Sequence, residues 1–462
     1  MANTNNQANA VAKFKRLKNI VNLLVCELCC ILIGLIFDCA IFFNQFSEKG
    51  TPIFLIAILA VLWVVIFSLR FYILNLLNDK EDQATGYKRY GDVKTGEVLL
   101  KVENLSQHFG PLKAVDNVSF DIKKGEVFGL VGESGCGKTT TGRTIIKLYN
   151  PAGGNVYFKG QRIVAGTLTY KTAIAEAQKK AKADIAELNA DTKANPENKG
   201  ANDAKVREIK ADLKAVVEEN RALIKSAKHD NDKAERNLVT QIQMIFQDPI
   251  ASLDPRMTVR EIIAEGLVIR GMKDKAKIDE MVYRVLETVG LVREHADRYP
   301  HEFSGGQRQR IGVARAVVMS PEMIIADEPV SALDVSVQAQ VINLLNELKE
   351  SMGLTILFIA HDLSVVKYFS DRIGVMYFGK MVELADADEL FANPTHPYTK
   401  SLLSAIPLPD PKTEKNRQRI KYNPIESHDY SVDKPSLREI VPGHFVMCND
   451  KEEAEYKANY NK

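Results

Sequence analysis

An excess of either charge is missing: the 462 residues carry 61 Lys+Arg against 59 Asp+Glu, a net charge of +2. That balance argues against a strongly basic nucleic-acid binder. Cysteine is scarce and badly spaced for cross-linking. Of six, Cys26, Cys29, Cys30 and Cys39 lie in one apolar run, while Cys136 and Cys448 stand alone. This is no disulfide framework, and it points to a main body facing a reducing, cytosolic compartment. A signal peptide is excluded, because the first apolar run is too long for one and a second run follows it. With hydrophobic residues at 45% and charged ones at 26%, wholesale disorder and fibrous classes are excluded as well. A chain of this length is expected to hold about three units, at about 150 residues each.

The averages conceal the two apolar runs, Ile20–Phe43 and Ile53–Leu77. Each has roughly the 20 residues that a membrane-spanning helix requires. Lys13, Lys15, Arg16 and Lys18 precede them, Lys80, Lys88 and Arg89 follow, and the connecting loop holds one lysine. The expectation is a transmembrane helical hairpin over 20–78 with both termini in the cytoplasm; a buried soluble hairpin is the alternative. Glu27 and Arg70 fall at similar depth and are candidates for a pair, against separate snorkelling to the interface. Residues 1–19 are then a cytoplasmic segment and 79–96 a linker.

From Glu97 the pattern changes to that of an α/β domain. Short β-type runs cover Val98–Val102, Val118–Ile122 and Val127–Val131. The third leads into Gly132, Glu133, Ser134, Gly135, Cys136, Gly137, Lys138 and Thr139, a G-x-x-x-x-G-K-T loop ahead of an expected helix over Thr139–Leu148. Such a loop wraps backbone N–H groups around phosphates at a helix N-terminus, which favours anions. Lys138 can reach the β- and γ-phosphates, and the Thr139 hydroxyl can ligate Mg²⁺. Thr140 completes the candidate ATP-binding set. Cys136, beside the helix start, is expected to carry thiolate character and to be shielded from thiol reagents by Mg·ATP.

Further along, Met323–Asp327 reads as a buried strand ending in a carboxylate. Asp327 is placed to hold Mg²⁺ and Glu328 to polarise an attacking water. Phe303-Ser304-Gly305-Gly306-Gln307 reads as a tight turn and helix start whose N–H groups suit another phosphate. Gln247 and His361 each follow an apolar strand, Gln243–Phe246 and Thr355–Ala360.

The order of these motifs resembles the nucleotide-binding domain of ABC transporters over roughly residues 97–407. The resemblance implies a P-loop cassette with a mixed sheet core and a helical subdomain, working as a dimer. It implies Phe109 for adenine stacking, and Gln247 as a Mg²⁺ contact and sensor of the membrane partner. Ser304, Gly305, Gly306 and Gln307 become a signature that caps ATP on the opposite subunit. Glu328 becomes the catalytic carboxylate and His361 the γ-phosphate sensor, with Ser331, Ala332, Leu333 and Asp334 as the D-loop. Phe303 stands where leucine is commoner.

Gln247–Pro255, Ala332–Ala339 and His396-Pro-Tyr-Thr-Lys-Ser-Leu-Leu403 resemble the oligopeptide importer ATPases more closely. Pro435–Val446, in a tail spanning 408–462, resembles their F-type ATPase subunit. Many relatives bind an iron–sulfur cluster through cysteines in this tail; with Cys448 alone, a four-thiolate cluster is not expected. The resemblance implies hydrolysis of Mg·ATP to drive oligopeptide import. It also implies a paralogous ATPase as heterodimer partner, two permeases, an extracytoplasmic peptide-binding protein and a cell-membrane location with the ATPase on the cytoplasmic side.

Two features depart from that family. One is the hairpin at 20–78. The other is an insertion at 167–237, rich in Ala, Lys, Glu and Asp. Its apolar positions step by three and four along Ile174–Leu188 and Val206–Ala227, which predicts a helical hairpin with a turn-rich loop over Asn189–Asp203. The insertion raises one rival reading, a coiled-coil ATPase acting on DNA. The membrane runs raise another, an ABC half-exporter. The short arms and the peptide-importer tail count against the first, and two helices are too few to enclose a translocation path for the second.

Overall fold

The computed structural model describes residues 94–233, 236–249, 251–331, 333–406, 419–430 and 433–460. The two apolar runs, the Glu27–Arg70 pair, four of the six cysteines and Ala332 of the D-loop lie outside the described residues. Among the described residues, no helix is long and apolar enough to cross a membrane.

Two sheets frame the domain. The first is antiparallel, with strand order β2-β1-β4-β5, built from β1 (Val98–Phe109), β2 (Leu112–Lys123), β4 (Gly153–Phe158) and β5 (Gln161–Ala165). The second holds eight strands. Its central ones are β3 (Val127–Val131), β6 (Ile242–Ile245), β7 (Met323–Asp327), β8 (Thr355–Ala360) and β9 (Arg372–Tyr377), all parallel, in the order β9-β3-β8-β7-β6. Antiparallel strands β10 (Lys380–Asp386), β11 (Ser436–Val441) and β12 (His444–Cys448) extend it beyond β9, so the sheet is mixed.

Strands β3, β7 and β8 are buried along their whole length. Alternate residues serve two cores. Val127, Ile324, Ala326, Ile356 and Phe358 pack into one, and Phe128, Leu130, Ile325, Leu357 and Ile359 into the other. Apolar residues on both faces are what a parallel strand covered on both sides demands.

Helix α1 (Lys138–Ile145) ends three residues short of the expected Leu148, and Lys147, in the left-handed region at φ 65°, follows its C-cap. Helices α2 (Leu168–Ala194) and α3 (Lys199–Lys233) make up most of the insertion and lie against each other. Of the expected seam positions, Ile174, Ile185, Leu188, Val206, Ile209, Leu213 and Val216 are half-buried and Ala181 and Ala227 are buried, whereas Leu223 is exposed. The turn-rich loop expected over Asn189–Asp203 is a correction, because most of it is helix. The corner narrows to residues 195–198, since the Asp191 carboxylate accepts side-chain N–H groups from Asn195, Asn198 and Asn202 at 2.8, 3.2 and 2.8 Å. Pro196 begins the short turn, where its missing N–H costs nothing. At the other end, Asn231 pairs with Ala165 through two hydrogen bonds of 2.9 and 2.8 Å, and clamps α3 to β5.

Helices α4 (Val259–Ile269), α5 (Lys275–Thr288) and α6 (Gly305–Val317) pack together beside the parallel strands. Helix α7 (Val335–Met352) precedes β8, α8 (Leu363–Phe369) precedes β9, α9 (Pro397–Ser404) follows β10, and α10 (Asp450–Asn459) follows β12.

Candidate active site

The parallel register gathers the chemistry. Val131 pairs with Ala360, Asp327 with Ile359, and Ile245 with Ala326. The next residues along each strand, Gly132, His361 and Glu328, and Gln247 two beyond Ile245, therefore emerge at one edge of the sheet. That carboxyl edge is where open α/β sheets take ligands.

The loop after β3 exposes Glu133, Ser134 and Gly135 at its crest, while Cys136 and Lys138 are buried. Gly137 caps α1 at φ 104°, and a Cβ there would lie 2.2 Å from the Ala114 carbonyl oxygen. Only glycine fits. The Lys138 Nζ donates to the carbonyls of Gly132 and Glu133 at 2.8 and 3.0 Å, so the ammonium closes the loop on itself. Thr140 sits in the first turn of α1, where its carbonyl accepts the Thr144 hydroxyl at 2.7 Å. Burial pushes the Cys136 thiol up rather than down, despite Lys138 beside it. The expected thiolate character is corrected: desolvation outweighs the helix N-terminus.

The Thr139 hydroxyl donates to Asp327 Oδ1 at 2.7 Å. Asp327 is fully buried and its Oδ2 has no hydrogen-bond partner. Arg143, one turn after Thr139 on α1, brings its guanidinium to 3.9 Å from that oxygen. Desolvation holds the Asp327 carboxyl above the usual carboxylate range, with the Thr139 bond opposing it. A buried carboxylate oxygen that accepts no hydrogen bond, beside a threonine hydroxyl, is an oxygen donor set suited to Mg²⁺. Asp327→Asn is expected to raise the melting temperature of the nucleotide-free protein by roughly 1–3 °C, since it removes a buried charge, while abolishing the effect of Mg²⁺ on nucleotide binding. Thermal melting with and without Mg·ATP checks this; a lower melting temperature would contradict it.

Glu328 takes φ 44°, a costly backbone for a residue with a Cβ. Its N–H is fixed by the Ile359 carbonyl at 2.9 Å. Its carboxylate Oε2 accepts the Gln247 amide at 2.9 Å and lies 3.2 Å from His361 Nδ1. Three candidates that are 81 and 33 residues apart in sequence thus meet at one oxygen. Gln247 contacts Glu328, not the Thr139–Asp327 pair.

Ser304 is the N-cap of α6: its hydroxyl accepts the Gln307 N–H at 3.3 Å, and the Gln307 side chain accepts the Ser304 N–H at 3.0 Å. A Cβ on Gly306 would meet Val337 at 2.6 Å, and one on Gly305 would meet Leu333 at 3.7 Å, so this turn packs against the start of α7. Phe303 is buried, edge-on to His295 at 5.1 Å. The Ser331 hydroxyl donates to the Glu328 carbonyl at 3.1 Å, and Asp334 is the N-cap residue of α7. Among the described residues, no hydrogen bond or ion pair joins Ser304–Gln307 to the loop at 132–139.

Phe109 is exposed and stands edge-on to Tyr149, with ring centroids 5.2 Å apart. Sequence reading missed Tyr149 and Arg143. The second carries a legible signal, four residues after Thr139 on one helix face; the first has none. In the tail, Cys448 is buried and its thiol is pushed up to about 11 by desolvation.

A phosphate loop at a β–α junction, a buried acidic strand end bonded to its threonine, and a carboxylate held between glutamine and histidine define a P-loop ATPase of the ABC-transporter class. The family pattern described as "ABC transporter" matches residues 115–229 and 214–331, and that described as "Oligopeptide/dipeptide transporter, C-terminal region" matches 382–433. The chain is 52% identical to the oligopeptide transport ATP-binding protein OppF of Bacillus subtilis, across 78% of this chain and 99% of that protein. It is 46% identical to the OppF of Streptococcus mutans, across 78% of this chain and 97% of that protein, and to AmiF of Streptococcus pneumoniae, across 79% and 99%. The chain belongs to the family of oligopeptide transport ATP-binding proteins.

Proposed function

We propose that this chain is the ATP-hydrolysing subunit that powers oligopeptide import through a multi-subunit ABC transporter. The observation that carries the reading is Glu328, held by Gln247 and His361 next to the Thr139–Asp327 pair. In this role the N–H groups of Gly132–Thr139 hold the phosphates of ATP, and Lys138 gives up its loop carbonyls to meet them. Phe109 stacks on the adenine. Thr139, Asp327 and Gln247 hold Mg²⁺, which neutralises phosphate charge when bound. Glu328 orients and polarises the attacking water, and His361 contacts the γ-phosphate.

Ser304–Gln307 then cap ATP on a second ATPase subunit, with Ser331–Asp334 lining the junction. That partner is a paralogue, so the pair is a heterodimer. Gln247, at the end of β6, transmits closure to two permease subunits, fed by an extracytoplasmic peptide-binding protein. The cassette covers 97–407, with the helical insertion at 167–237 and a tail at 408–462. Residues 20–78 anchor it as a transmembrane hairpin, with the cassette on the cytoplasmic side of the cell membrane.

The test is purification in mild detergent from membranes first washed with carbonate. Recovery of this chain with a related ATPase, two permeases and the binding protein is expected. Loss of the chain in the carbonate wash would overturn the anchor, and a homodimer without permeases would overturn the importer assignment.

A further inference from the structure

The C-terminal part of the cassette reaches back to the phosphate loop. Tyr398, in α9, is only 2% exposed, and its phenolic oxygen accepts the Glu133 N–H at 3.1 Å across 265 residues of sequence. The Glu133 carbonyl accepts from Lys138 Nζ at 3.0 Å and from the Cys136 N–H at 3.2 Å. One loop residue is thus held at both its backbone groups, and the N–H is held by Tyr398.

The tyrosine is itself fixed. Its ring packs on Tyr377 and Tyr422, with centroids 4.4 and 5.5 Å away. Its own N–H is capped by His396 Nδ1 at 3.1 Å. Burial holds the His396 imidazole down to about 3, so it stays neutral and keeps the lone pair that this cap needs. The buried Glu383 carboxylate in turn accepts the N–H groups of Thr395 and His396 at 2.7 and 3.1 Å, and His444 Nε2 lies 2.8 Å from the same carboxylate. A rigid chain of contacts therefore runs from β10 and β12 to the crest of the phosphate loop.

We propose that Tyr398 is a positioning residue for ATP binding, whose hydroxyl keeps Glu133 in place so that the loop N–H groups stay arranged for phosphate. An incoming phosphate competes for the Lys138 ammonium, which in this structure closes the loop on the Gly132 and Glu133 carbonyls. Once Lys138 turns to the phosphate, the tie from Tyr398 keeps the loop from relaxing. Pre-arranged donors bind an anion without reorganisation, so losing the tie weakens binding more than the chemical step. The inference rests on the ATP-hydrolysing reading.

The experiment measures ATP hydrolysis by the assembled transporter with Tyr398→Phe, Tyr422→Phe and Lys138→Ala. Tyr398→Phe keeps the ring and removes only the hydroxyl. The KM for Mg·ATP is expected to rise about three- to tenfold, as for loss of one hydrogen bond, with kcat within about twofold. Tyr422→Phe, which shares the ring cluster, is expected to change neither. A KM unchanged in Tyr398→Phe, an equal rise in Tyr422→Phe, or failure of Tyr398→Phe to assemble would each overturn the proposal, the last two by making Tyr398 a packing residue. Lys138→Ala separates the two levels. If it too hydrolyses ATP normally, the ATPase reading itself has failed.

Discussion

Glu328→Gln is expected to lower ATP hydrolysis at this site by about a hundredfold or more while ATP binding persists. Glu328 is a strand-edge carboxylate that is partly accessible and is aimed by Gln247 and His361. Asp327 beside it is fully buried and engaged with Thr139. The backbone at Glu328 is held in a strained conformation by its bond to Ile359, and its Oε2 is shared by Gln247 and His361. Glutamine has the same shape and preserves packing. It cannot take a proton from water or carry the negative charge that polarises it. Single-turnover hydrolysis and equilibrium nucleotide binding, measured on the assembled complex, separate the two effects. Undiminished hydrolysis would show that Glu328 is not the base.

Lys138→Ala is expected to weaken Mg·ATP binding roughly 10- to 100-fold, the range for losing a charged hydrogen-bond donor. Lys138 is 4% exposed, and its ammonium lies within the loop at 2.8–3.0 Å from two carbonyls. No other side-chain cation belongs to the loop, and the neighbouring Arg143 is directed to Asp327. The substitution therefore removes the charge that phosphates meet and the donor that closes the loop. Titration calorimetry with Mg·ATP checks the loss; an unchanged affinity would place the phosphates elsewhere.

Much of this was legible in the residues because each piece is local. Strands β3, β7 and β8 have the bounds that their apolar runs predict, since both faces of each are buried and all but their terminal Asp327 and Thr355 are apolar or glycine. The phosphate loop is legible because glycine spacing states a backbone requirement. Convergence of Gln247, Glu328 and His361 was legible only through motif order; nothing local announces that residues so far apart share an oxygen. Three features were hidden. The corner of the insertion hairpin depends on Asp191 gathering three asparagine amides, which confines the turn to the residues around Pro196 and overrides the turn signal of Gly200. The Cys136 thiol depends on burial by distant strands, which reverses the effect of its helix start. Tyr398 reaches Glu133 across the whole cassette, so its motif could be quoted without its contact.

The most direct measurement is uptake of a radiolabelled oligopeptide into vesicles that hold the purified transporter, with Mg·ATP on the cassette side. Uptake that requires ATP and falls to background with Lys138→Ala or Glu328→Gln is the predicted result. Peptide accumulation at the unaltered rate in vesicles carrying only the Lys138→Ala chain would contradict the conclusion that this subunit powers import.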